Sequence, residues 1–340
     1  MAHCRPAAGL LIAALACSPV PVQAQTGPTL GGGSPEKAAL LQPPSLSEEA
    51  EPSADADPPG DPTLRPVRPA NPEKPAAPEG FLRQLHLDYT FLPGLGKKSL
   101  TINDVELSGT MALPLAEGWA PLLLTPGVAG HFWDGPSADL VPPARDLPSH
   151  LYDTYLEIGW RPQLARWLFT DLAVTPGVYS DFRDVSADSF QMRGRGLAIV
   201  AFSPQFQIVG GALYVNRNKT KILPAGGFIW NPNDDTKLVV VFPSPKLAHR
   251  LTTLDDIQLW GYLSGELGGG RWSMEHADGT IDSVDYTDIR VILGLETIAP
   301  GTVKGHVEVG YVFARRVNFT GTTPDYRPDP TLMLRAGISY

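Results

Sequence analysis

The last ten residues, Thr331-Leu-Met-Leu-Arg-Ala-Gly-Ile-Ser-Tyr340, restrict the fold more than any other stretch of this chain. Leu332, Leu334, Ala336, Ile338 and Tyr340 fall on one side of an extended strand. Thr331, Arg335, Gly337 and Ser339 fall on the other, with Met333 the only apolar residue among them. Period-two alternation is what a β-strand with one apolar and one polar face requires. Two architectures satisfy it. In a soluble sheet the apolar face points into a core. In a transmembrane barrel it meets lipid, and the polar face lines a lumen.

The same period recurs upstream. Leu85, Leu87, Tyr89 and Phe91 alternate with Gln84, His86, Asp88 and Thr90. Ile289, Val291, Leu293 and Leu295 oppose Asp288, Arg290 and Glu296. Val307, Val309, Tyr311 and Phe313 oppose Lys304, His306 and Glu308. Segment 256–267 is strand-like with ambiguous facing, because Trp260 and Tyr262 share a side with Ser264 and Glu266. No window carries a 3.6-residue apolar stripe of helical length, and Gly, Pro, Asn and Asp punctuate the strands. The expectation is an all-β, up-and-down antiparallel transmembrane β-barrel of about 12 strands. Counts of 10 or 14 remain open, because residues 222–251 and 271–276 are hard to assign. An even count brings both termini to one side. Aromatics near expected strand ends (Trp160, Trp167, Phe202, Trp230, Phe242, Phe313) favour the membrane form, as girdles do.

The N-terminal quarter differs. Arg5 precedes the short apolar run Leu10–Ala16, and Val22-Gln-Ala24 has the small-x-small form of a signal-peptidase site. Residues 1–24 are therefore expected to be a cleaved secretory signal, too short to span a bilayer alone. Both cysteines, Cys4 and Cys17, lie inside it, and Ala14-Leu15-Ala16 makes a poor lipobox for lipidation of Cys17. A chain cleaved after Ala24 has no disulfide, thiolate catalyst or cysteine-bound metal. Residues 25–79 are rich in Pro, Ala, Glu, Asp and Ser without a sustained apolar period, which predicts a disordered linker. Residues 80–340 form the barrel domain. The net charge of −9 argues against nucleic-acid binding, and no later segment is long and apolar enough for a spanning helix.

Extending each strand's parity gives an inward polar set: Arg193, Arg195, Asp153, Glu157, Asp288, Arg290, His306, Glu308 and Arg335, with Glu106, Asp171 and Lys304. Both signs occur, so these groups either pair as a stiffening network or line a selective path. Arg193 and Arg195, two residues apart on one face, are the leading candidates for a selectivity lining. Leu223–Asp235 is dense in amides and carboxylates but lacks the spacing of an EF-hand, and Asn231–Asp235 reads as a tight turn. Phe242-Pro-Ser-Pro-Lys-Leu-Ala-His-Arg250 reads as a crossing between strands. Gly-x-Ser-x-Gly and His-Glu-x-x-His are absent. Ser264, His306 and Glu308 make only a weak triad, so no catalytic residue, cofactor or metal ligand is assigned.

Several stretches (Asp88-YTFLPG, Val178-YSDF, Leu223-PAGGFIWNPNDD, Asp285-YTDIRVILGLE, Glu308-VGYVFAR and the closing LMLRAGISY) resemble an uncharacterised bacterial outer-membrane-protein-like family of unknown function. The resemblance spans residues 81 to 340. It implies a barrel in the outer membrane of a double-membraned bacterium and supplies no site residues. The partners then expected are outer-membrane lipid, the barrel-assembly machinery acting on the strand that ends at Tyr340, and a small solute. The expected role is a narrow pore or passive small-solute channel with a mixed-charge lumen. The alternatives are a plugged barrel that acts through its loops and a soluble periplasmic barrel or sandwich that binds a ligand.

Overall fold

The computed structural model describes residues 82–115, 119–136, 147–183, 185–276, 278–299 and 303–340. The expected signal, the expected linker and Cys17 lie outside these residues. The strands are β1 (Leu82–Leu92), β2 (Thr101–Leu113), β3 (Leu122–Asp134), β4 (His150–Trp160), β5 (Gln163–Ala165), β6 (Leu168–Ser180), β7 (Phe190–Ala201) and β8 (Phe206–Tyr214). They continue as β9 (Ile222–Asn233), β10 (Thr236–Phe242), β11 (Lys246–Leu254), β12 (Ile257–Glu275), β13 (Ile281–Ile298), β14 (Lys304–Phe319) and β15 (Thr331–Ser339). No α-helix occurs among the described residues, and a 3-10 turn at Ala187–Ser189 precedes β7.

Each strand pairs antiparallel with its sequence neighbours, β15 pairs with β1, and β4 pairs with β6 past the short spur β5. The wall is thus a closed antiparallel ring of 14 strands rather than about 12. The undercount falls in residues 222–251, one of the two segments where sequence pattern is weakest. Residues 246–254 are strand β11, so the crossing expected at 242–250 shrinks to 243–245. Lys246 reads as a connection residue in sequence, yet it points inward and is buried against Glu296. The other soft segment, 271–276, continues β12, which runs 19 residues. The tight turn expected at 231–235 is confined to 234–235, with Asn233 paired to Thr236.

Closure leaves no free strand edge in the wall, which removes the usual site of sheet-to-sheet aggregation. Residue 82 and Tyr340 sit at one end, called here the near end, with Tyr340 N–H donating to Leu85 O. Most connections at that end are short, such as 202–205, 234–235 and 255–256. The far end carries most of the longer ones, including 93–100, 135–149, 215–221 and 320–330.

The two faces of the wall invert the pattern of a water-soluble protein. Leu85, Leu87, Tyr89, Val291, Leu293, Val307, Val309, Leu332, Leu334 and Ile338 are all exposed, Leu293 at 67%. Their sequence neighbours Asp88, Asp288, Arg290, Glu308 and Arg335 are buried. A continuous belt of this kind far exceeds the apolar patches that soluble monomers leave bare. It is the face a hydrocarbon layer would cover.

The interior is divided. Near the far end β12 leaves the ring's even curvature and meets β6 in a parallel bridge, Ser180 with Ser273. On one side, β6–β10 curl around a dry cluster of Phe169, Leu197, Ile199, Val209, Leu213, Ala225, Ile229, Val239 and Val241. On the other, β12–β15 and β1–β4 enclose buried charges beneath an apolar cap at the far end. The cap is built from Leu92, Leu100, Trp133, Leu151, Trp272, Val284, Tyr286 and Phe319. Trp133 packs edge-on against both Trp272 and Tyr286, at centroid distances of 5.7 and 5.6 Å.

Candidate functional site

The charged lobe is organised by arginines on inward positions of successive strands. Arg335 on β15 donates to Glu266 (3.1 and 3.2 Å), to Glu308 (2.8 Å) and to Thr90 Oγ1 (3.0 Å). Arg290 on β13 grips Asp288 through two parallel bonds of 2.8 and 3.0 Å and reaches Glu266 at 3.1 Å. Bidentate pairing of this kind is the strongest that a guanidinium makes. Glu266 therefore joins two arginines and is the hub of the network. It was not in the inward set read from sequence, because the facing of 256–267 was ambiguous. Trp260, Tyr262 and Glu266 are all buried, which settles that facing as inward.

A second hub lies on β7. Arg195 donates both terminal nitrogens to Glu157, at 2.8 and 3.0 Å, and its Nε is 3.1 Å from Asp171. Arg193, two residues away on the same face, stacks its guanidinium 3.9 Å above the Tyr179 ring. Asp153 accepts from Trp272 Nε1 and lies 3.4 Å from His131, whose other nitrogen is 2.8 Å from Asp104. His306 is 3.2 Å from Asp88, which also meets His86. Lys246 caps the set with a 2.7 Å bond to Glu296 and lies 3.7 Å over the Tyr262 ring.

All nine inward candidates are thus buried, but they gather into separate groups. Arg290, Asp288, Glu308 and Arg335 share the Glu266 hub. Arg195 and Glu157 form the second. Arg193 and Asp153 both line one cavity, and His306 sits apart with Asp88. The weak triad does not assemble: Glu308 is taken by Arg335 and Tyr262, and His306 by Asp88. No cluster of three or more metal-ligating side chains occurs among the described residues.

Glycines make these cross-strand contacts sterically possible. Tyr262 on β12 lies over Gly294 on β13 and donates to Glu308 on β14 at 2.6 Å. A Cβ on Gly294 would stand 2.3 Å from the tyrosine ring. Gly337 clears the same kind of space between β1 and β14, since a Cβ there would lie 1.8 Å from Asp88 Oδ1. The signal was present in the sequence as inward-parity glycines. Spacing alone does not say which side chains cross them.

Between the aromatic cap and the Glu266 hub lies a cavity of about 80 Å³. Asp88, Asp104, Glu106, His131, Asp153, Arg193, Arg290 and Arg335 contribute to its lining. Such a space holds a few waters at most. The geometry offers a short polar compartment with both signs of charge and no reactive constellation.

Solved structures align with most of this chain at low identity. The KdgM porin in complex with disordered oligogalacturonate is 10% identical, with 76% of this chain and 98% of that chain covered, at a TM-score of 0.35. The COG4313 outer membrane channel from Pseudomonas putida F1 is 15% identical, with 79% and 99% covered, at 0.37. LpxR from Salmonella typhimurium is 8% identical, with 76% and 99% covered, at 0.36. No curated protein sequence matches the chain. The closed ring follows from this chain's own strand pairing, and these likenesses add nothing about its activity. Residues 143–324 match the family described as a domain of unknown function (DUF6268), and the chain belongs to it.

Proposed function

We propose that this chain is an outer-membrane β-barrel that serves as a narrow small-solute pore, its path running through the charged lobe. The observation that carries the reading is the contrast inside one wall. Apolar side chains fill most of the space inside β6–β10, where Asp171, Arg193 and Arg195 are the buried charges, so filling the barrel does not everywhere require charge. Burying ions costs several kcal/mol each before pairing returns any of it. A lobe that nevertheless keeps arginines, carboxylates and histidines around a cavity is suited to polar solutes. On this reading the near end faces the periplasm, the apolar belt contacts lipid, and the strand ending at Tyr340 is what the barrel-assembly machinery engages. Residues 1–24 direct export, and Arg193 and Arg195 belong to the lining.

A plugged, structural barrel is the second reading. It is favoured by the tight pairing of Arg335, Arg290 and Arg195 and by the small cavity. Planar-bilayer recording of purified protein separates the two. Discrete conductance steps are expected, and Arg193→Ala with Arg195→Ala should shift selectivity toward cations. A correctly inserted barrel without steps under any applied voltage would sink the pore. Steps with unchanged selectivity would remove the two arginines from the lining.

A further inference from the structure

A ring of 14 strands encloses far more space than about 80 Å³. The polar cavity beneath the cap is much smaller than the ring's interior, and beside it β12 meets β6 and the β8–β9 connection. The contacts that hold β12 there form one polar seam at the far end. Ser180 bridges Ser273, and Asp181 N–H donates to Ser273 O at 3.1 Å. Gln191 Nε2 donates to Arg271 O at 3.0 Å. Arg217 donates to the carbonyls of Gly268 (3.1 Å) and Gly269 (2.9 Å), and Asn218 N–H donates to Asp285 at 3.1 Å. Gly269 sits at φ +97°, a conformation open mainly to glycine, at the point where Arg217 docks.

The composition of the seam differs from that of both lobes. No member of the dry cluster comes from β12, and the apolar contact across the seam is confined to Tyr179 of β6, which shares the far-end cap with Trp272 and Met274 of β12. Hydrogen bonds to backbone are modest in net worth, because water replaces them when they open. Ser273 Oγ is buried without a hydrogen-bond partner among the described residues, which lowers the cost of exposure further. Parting the seam would leave the antiparallel wall pairings intact and widen the space beside the polar cavity.

We propose that this seam between β12 and the far ends of β6 to β9 is the gate of the pore, and that the structure is its shut state. The proposal rests on the pore reading above. Ser180 and Ser273 are paired and fully buried, so Ser180→Cys with Ser273→Cys adds little volume and tests it directly. The chain's own cysteines, Cys4 and Cys17, fall in the expected signal and do not complicate the result.

Under mild oxidant the pair is expected to crosslink in the folded barrel and not after boiling. Locked protein should show at least tenfold fewer openings than wild type, restored by reductant. A loosened variant, Gln191→Ala with Arg217→Ala, should open at least tenfold more often. Gel mobility with and without heating shows that each variant is folded. No crosslink in folded protein, or a crosslink that leaves conductance unchanged while wild type conducts, would overturn the gate and spare the pore. Silence from the loosened, folded and inserted variant would overturn the pore reading, and the gate with it.

Discussion

Strands β6–β10 and strands β12–β15 belong to one wall, yet they fill most of their insides by opposite means, with Asp171, Arg193 and Arg195 the buried charges on the first group. The first group packs Phe169, Leu197, Val209, Leu213 and Ile229 against one another and excludes water. The second sets Glu266, Arg290, Asp288, Arg335 and Glu308 into a continuous ionic network. Both groups present apolar side chains outward, so the outer medium does not distinguish them. The difference teaches that occupancy and charge are separate requirements. Dispersion and close packing suffice to hold a barrel's interior. Charge carries a desolvation cost that filling alone does not require.

The comparison breaks first at its hub. Glu266→Ala leaves Arg290 and Arg335 each one carboxylate short in a buried site, and loss of one partner from a buried network costs about 3–5 kcal/mol. The urea midpoint for loss of heat-modifiable migration should fall accordingly. Loss below about 1 kcal/mol would mean that water already reaches the hub and that the lobe is more open than the side-chain geometry implies. The matched test in the dry lobe is Leu213→Ala, at a side chain 2% exposed. It should cost about 3 kcal/mol, since the surrounding strands cannot collapse into the space. Conductance should respond to the first substitution and stay unchanged by the second.

A smaller effect is expected at the glycines that let strands reach past one another. Gly294→Ala places a methyl group against the Tyr262 ring and should cost about 2 kcal/mol by overpacking. Restoring stability by adding Tyr262→Ser, which vacates the ring, would show that the penalty is steric. A Gly294→Ala variant as stable as wild type would mean that Tyr262 already lies elsewhere.

How much of this was legible beforehand follows the same division. In β13–β15 strict alternation assigns both faces, and Asp288, Arg290, His306, Glu308 and Arg335 are read directly as inward residues. In the dry lobe alternation fails as a guide. Leu197-Ala-Ile-Val-Ala201 and Leu238-Val-Val-Val241 are apolar on both faces, because lipid-facing and core-facing positions want the same chemistry. Periodicity then says strand without saying which way it faces. Lys246 was missed because a lysine after two prolines reads as a loop. Glu266 was missed because Trp260 and Tyr262 on its side look like outward girdle residues. Their inward placement follows from partners on other strands, Gln258 excepted, and partners are not visible in a single strand's pattern. The seam was illegible altogether, since backbone carbonyls carry most of it.

The smallest predicted effect, at Lys219, sharpens the contrast when set beside Lys246, with chemistry held fixed and only surroundings changed. Lys246 and Glu296 lie 2.7 Å apart with side chains 8% and 6% exposed, inside the charged lobe. Lys219 and Asp325 lie 2.9 Å apart with side chains 65% and 49% exposed, at the far end. The first pair is little screened by salt, and Lys246→Ala strands a buried carboxylate at a cost of about 3 kcal/mol. The second is open to water and counterions, so Lys219→Ala should change stability by less than about 0.5 kcal/mol. Measuring both variants at low and high salt decides the matter: only the Lys219 effect should fade. Equal salt sensitivity would mean that bulk electrolyte reaches Lys246 and Glu296. The charged lobe would then be an aqueous path even in the shut state, and its charges would be a conducting lining rather than a sealed network.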